Sequence, residues 1–204
     1  NPGHDEQARY YNEFAMIVME SFLDHFDPRE LPEAYPADPE VKDNIRQALV
    51  QAYDNVSSEI PQNVNRDALL EALLNEAVGL GPLEYYLDDE SITDIHINSP
   101  SRIVLERQGQ LTLADRTFTN ADFLYLAALR LLSIQGLGAH PPLLNEVRFS
   151  DGTLVQVILP PVAVGAPVIT IRKPRRHFIN LSQMVERGSL SPAMASFLQL
   201  CVDA

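Results

Sequence analysis

Over the first third of the chain, apolar residues recur at spacings of three and four. Tyr10, Phe14, Ile17, Val18, Phe22 and Phe26 mark one helical face, and Val41, Ile45, Leu49, Ala52 and Val56 a second. Leu69, Leu70, Leu73, Leu74 and Ala77 mark a third. The punctuation agrees with this period. Asp38-Pro39 supplies an N-cap and a first-turn proline, Asn65 caps the third helix, and Gly79 is placed to end it. Beyond Gly79 the period changes to two. In "ITDIHIN", Thr93, Ile95 and Ile97 alternate with Asp94, His96 and Asn98, as in a half-buried strand. "RIVLERQGQLTL" reads as a hairpin turning at Gln108-Gly109, and "LLNEVRF" with "TLVQVIL" as a second one through Ser150-Asp151-Gly152. Between them lies a helix, "NADFLYLAALRLLSIQG", capped at Thr119 or Asn120 and stopped at Gly136. "VITIRK" is a last strand, with Val168, Thr170 and Arg172 on one face.

This order predicts an α+β protein: a helical bundle over 1–78, a small antiparallel-sheet domain over 79–173, and a helical linker over 174–204 whose last helix opens at Ser191-Pro192. The prolines of "PRELPEAYPADP" suggest a loose connection. The front helices, 7–60, are therefore expected to form a semi-independent, mobile arm.

Charge changes the picture in two places. The chain carries a formal charge of -13, and residues 1–60 hold 13 Asp/Glu against 4 Lys/Arg. Such a front would repel nucleic acid, a polyanion. Against that background Arg172, Lys173, Arg175 and Arg176 crowd into five residues. Arginine suits phosphate because its planar fork donates in two parallel directions and stays charged. A solvated strand end is the plainer account of the same residues.

Other chemistry is sparse. His4, His25, His96, His140 and His177 show no i, i+4 pair and there is no C-x-x-C, so no metal site is expected and His96 reads as a surface residue. Asp88, Asp89 and Glu90 read as a solvated turn. "GLGPLE" at 79–84 is not G-x-G-x-x-G and follows a helix, so it is not a dinucleotide loop. No G-x-x-x-x-G-K-[ST] occurs, no catalytic residue is assigned, and no apolar run approaches the length of a membrane span. The single Cys201 cannot form an internal disulfide, which allows a reducing compartment. Asn1 in place of a starting Met suggests a trimmed chain.

Three stretches taken together are more specific. "GLGPLEYYLDDESITDIHIN", "VRFSDGTLVQVILPP" and "ITIRKP" occur in that order, followed by "MVERGSLSPAMASFLQLCVDA". They resemble the N-terminal region of secretion and pilus-assembly ATPases, the CpaF/TadA group of the type II/IV secretion superfamily. Those proteins read GLGPLE-x-x-L-x-D-x-x-I-x-D-I-x-V-N-G, then D-A-R-L-x-D-G-S-R-V-N-x-x-x-P-P, then L-T-I-R-K. The resemblance covers about residues 66–204, and the front helices loosely. It implies a piece of a longer protein whose RecA-like motor domain would follow, a hexameric ring, ATP with Mg in the full-length protein, and an inner-membrane platform protein as partner. It further implies a cytoplasmic location at the inner membrane. This chain alone is expected to bind no nucleotide tightly and to hydrolyse none.

Carried over residue by residue, the resemblance makes Arg172, Lys173 and Arg148 the nucleotide-facing candidates, with Glu146 before Arg148. It also exposes departures. Leu154 stands where the family has a phosphate-reaching arginine, Leu137 and Gly138 replace both arginines of the family's G-R-R-I-D, and Asn98-Ser99 replaces Asn-Gly. Two functions follow as expectations. One is the oligomerisation and regulatory portion of a pilus or secretion motor. The alternative is a degenerate, non-hydrolysing scaffold of the same apparatus.

Overall fold

The computed structural model describes residues 2–137, 140–174 and 180–203, with side chains described for all of these but 2–11, 29 and 203. Gly138, Arg175, Arg176 and His177, and the side chain of Tyr10, fall outside the described residues. Two compact units emerge, Asn1–Pro174 and Arg175–Ala204.

The first unit opens with α1 (Pro2–Leu23), α2 (Pro39–Val56) and α3 (Arg66–Val78), followed by α4 (Pro82–Asp88). The strands β1 (Ile92–Ser99), β2 (Arg102–Arg107) and β3 (Gln110–Leu113) come next, then α5 (Ala121–Ser133). The strands β4 (Leu144–Arg148), β5 (Leu154–Ile158) and β6 (Val168–Arg172) complete it. All six strands pair antiparallel in the order β3-β2-β1-β6-β5-β4. The chain is thus α+β.

The caps are formed by the residues that the sequence offered for them. Asp38 accepts from the Glu40 N–H at 2.9 Å, Asn65 from Ala68 at 3.0 Å, and Asn120 from Asp122 and Phe123 at 3.0 and 3.1 Å. Each satisfies amide groups that a helix start leaves without intrahelical partners. The β2–β3 hairpin turns at Gln108 and Gly109 with φ of 52° and 78°, the left-handed pair of a tight two-residue turn.

One face of the sheet is apolar. Ile95, Ile97, Ile103, Leu105, Val155, Val157, Ile169 and Ile171 are each at most 1% exposed and share one core with α5 and the front helices. Phe14, Val18, Met19, Phe22, Ile45, Leu49, Leu69 and Leu73 belong to that same core. The front helices and the sheet thus share one core within the first unit. The proline-rich connection is anchored: Leu31 is 3% exposed, and the Pro32 carbonyl accepts a 2.8 Å hydrogen bond from Arg130 Nε.

Arg130 is the least expected residue of the core. It sits in the middle of the apolar run of α5 and is fully buried. Its guanidinium donates to the carbonyls of Glu76, Ala77 and Gly79 at 3.2, 2.5 and 2.7 Å. Those are carbonyls of the last turn of α3 and of its cap, which a helix C-terminus leaves unsatisfied. Burial lowers its pKa to about 10, so the charge persists at neutral pH. Nearby, the buried Glu76 accepts from the Thr119 N–H and hydroxyl at 2.6 and 2.8 Å.

These contacts explain "GLGPLE". The segment is a helix-to-helix corner. The Leu80 N–H donates to Glu84 Oε1 at 3.0 Å, and a Cβ on Gly79 would lie 2.8 Å from the Asn75 carbonyl oxygen. Gly81 has φ of 61°, and a Cβ there would lie 2.9 Å from the Phe118 ring. Both glycines are steric requirements of the corner.

The second unit holds α6 (Leu181–Glu186) and α7 (Pro192–Asp203). A reciprocal capping box of Asn180 and Gln183 opens α6. Ser191 Oγ accepts from Met194 N at 3.3 Å in the first turn of α7. Among the described residues no helix is long and apolar enough to cross a membrane.

Candidate functional site

Because pairing is antiparallel and in register, side chains directly opposite one another stand on the same face. On the face turned away from the core, one rung crosses all six strands. It reads Leu111, Glu106, Asp94, Arg172, Leu154, Arg148. The next rung reads Leu113, Val104, His96, Thr170, Gln156, Glu146. Three positions named from the sequence, Arg172, Arg148 and the substituted Leu154, therefore lie side by side. They come from strands at the end of the chain and from a hairpin some twenty residues earlier.

Arg172 is already engaged. Its Nε donates to Asp94 Oδ1 at 2.7 Å, with side-chain exposures of 68% for Arg172 and 11% for Asp94. The Asp94 carboxylate, by this hydrogen bond and by its charge, raises the Arg172 pKa. The outer fork of the guanidinium is left toward solvent. Arg148 is exposed at the sheet edge, and Glu146 accepts from Gln156 Nε2 at 2.7 Å. Leu154, half-buried between the two arginines, offers no donor.

Lys173 does not join this rung. Its ammonium donates to the carbonyls of Leu87, Asp89 and Tyr86 at 2.6, 2.7 and 3.3 Å, closing the C-terminus of α4. A cation there also complements the negative end of the helix. Successive strand residues point to opposite faces, so Arg172 and Lys173 were bound to part.

Of the three carboxylates at the end of α4, Asp89 is more ordered than a solvated turn. Asp89 accepts from the Ser91 hydroxyl and N–H at 2.7 and 2.9 Å and pairs with Arg107 at 3.1 Å. The Ser91 hydroxyl leads the causes that lower its pKa.

Sequence spacing missed one grouping. Asp94 and His96 on β1 and Glu106 on β2 bring three ligand-type atoms within 4.8 Å of one another. Spacing within a single element carries no trace of it, because Glu106 arrives by strand pairing.

The main rung holds two guanidiniums and two carboxylates. With the charges in balance and one arginine tied to Asp94, it does not by itself fit a magnesium–triphosphate. It can add a charge-assisted donor to an anion held elsewhere.

No family model matches the chain, and no curated protein matches it. Among solved structures it is similar to the VirB11 ATPase from the Brucella suis type IV secretion system, determined in complex with sulphate, at 21% identity and a TM-score of 0.45. The likeness covers 61% of this chain and 42% of that protein, so the chain spans less than half of its length.

Proposed function

We propose that this chain is the N-terminal oligomerisation and regulatory portion of a ring-forming ATPase of the type II/IV secretion superfamily, of the group that powers pilus assembly or secretion. In this reading it works in the cytoplasm against an inner-membrane platform protein. The catalytic lysine, ATP and Mg belong to a motor domain that follows in the longer protein. The observation that carries the reading is the collinearity of "GLGPLE", "DIHIN", "SDGTLVQVILPP" and "ITIRKP", whose last three stretches lie on adjacent strands, with Arg172 and Arg148 flanking Leu154 on one rung.

One specific feature favours the scaffold alternative. Leucine at position 154 removes a phosphate donor from the middle of that rung, and a charge-assisted contact contributes about 1.5–3 kcal/mol. The test is made in the longer protein, by ATP affinity and hydrolysis rate. Arg172→Ala should weaken ATP binding or turnover by about 10-fold or more, and Leu154→Arg should improve it. If the first is silent and the second brings no gain, this edge does not face nucleotide and the scaffold function stands instead.

A further inference from the structure

We propose that Asp94, His96 and Glu106 form a binding site for a divalent first-row transition ion, zinc being the natural probe. The inference is independent of the secretion reading, since it rests only on this sheet. Three observations carry it. The three ligand-type atoms already lie within 4.8 Å of one another, on two directly paired strands. Two ligands on a four-coordinate zinc, each at about 2.0–2.2 Å from the metal, stand about 3.3–3.6 Å apart. Side-chain rotation alone can therefore close the site around an ion, while the strand pairing holds the backbone in place.

The second observation is electrostatic. Asp94 and Glu106 are directly opposed in register, and like charges in that position oppose each other. Arg172 relieves this only in part. Among the described residues its one hydrogen bond goes to Asp94 Oδ1, while Glu106 acts on it through charge. An ion held between both carboxylates would neutralise the pair directly and would compete with Arg172 for Asp94.

Third, the donor set selects the ion. An imidazole beside two carboxylates suits zinc and its neighbours, whereas magnesium prefers oxygen alone and keeps its water. Two strands supply three protein ligands on an open face, so water completes the coordination. His96 is half-buried on the open side of β1, and no hydrogen bond is made by its ring among the described residues.

The test is zinc titration of the 204-residue chain by calorimetry, with cobalt(II) absorption as a second readout of the ligand set. One ion per chain should bind, and excess magnesium should not displace it. His96→Ala and the near-isosteric Glu106→Gln should each weaken binding by on the order of 10-fold or more and alter the cobalt spectrum. His140→Ala, at an exposed position remote from the cluster in sequence, should change neither. Arg172→Gln should tighten binding, because it removes the competitor for Asp94. The proposal is overturned if zinc binds only at millimolar concentration, if His96→Ala and Glu106→Gln leave affinity and spectrum unchanged in folded protein, or if Arg172→Gln abolishes binding.

Discussion

Replacing Glu76 by glutamine should change how stability depends on pH. Glu76 is 4% exposed, and burial raises its pKa from 4.5 to about 7 despite the two hydrogen bonds from Thr119 that favour the charged form. Between pH 4.5 and 7 the folded protein holds this proton while the unfolded chain has released it. Stability from this group is therefore full below pH 4.5, falls as pH rises, and is lost once pH passes about 7. The rise from 4.5 to about 7, at about 1.4 kcal/mol per pH unit, gives a total fall of roughly 3–4 kcal/mol. Glutamine keeps the carbonyl oxygen that Thr119 needs and carries no titrating proton. The assay is urea unfolding of the natural chain and Glu76→Gln at several pH values from 4.5 to 8. Subtracting one curve from the other cancels the other acids and any constant offset. The natural chain should lose about 3 kcal/mol relative to the variant between pH 4.5 and 7.5. A difference that stays flat with pH would refute a desolvated Glu76.

Two further substitutions test the corner and the helix end. Lys173→Met removes charge-assisted bonds to the Tyr86, Leu87 and Asp89 carbonyls and should cost about 2 kcal/mol in chemical unfolding; unchanged stability would refute a stabilising role for these bonds. Gly81→Ala forces a side chain into a backbone with φ of 61° and against Phe118, and should lower stability by about 2 kcal/mol or more, seen as a lower urea midpoint. A neutral result would mean that the corner relaxes without disturbing α4.

Much of this architecture was legible because its determinants are local. Asp38, Asn65 and Asn120 are caps whose partners lie two or three residues away. The alternation in "VITIRK" placed Arg172 with Thr170 and Val168 before any strand partner was known. What escaped depends on long-range pairing. Nothing in the sequence near Asp94 announces that β1 lies beside β6, so the Asp94–Arg172 pair, 78 residues apart, was invisible. The same holds for Glu106 beside Asp94 and His96. Arg130 was hidden for another reason. Its partners are backbone carbonyls, which every residue has, so its role leaves no complementary residue to find. The anchoring of the proline-rich connection was hidden because proline limits local conformation and says nothing of whether a distant cation will bind its carbonyl.

The position of Arg130 bears on how the first unit comes apart. One guanidinium joins α5 to the connection after α1, 98 residues away, and to the end of α3, more than 50 residues away. The front helices cannot peel off without leaving that buried charge short of acceptors, an intermediate penalised by both desolvation and lost hydrogen bonds. Opening α3 away from α5 therefore costs more than the loss of their apolar contacts alone. In hydrogen exchange, the amides of α2, α3 and α5 should share one protection energy instead of sorting into an early-exchanging bundle and a late-exchanging sheet. That outcome would make helices far apart in the sequence one foldon, with Arg130 as the rivet between α5, the end of α3 and the connection after α1.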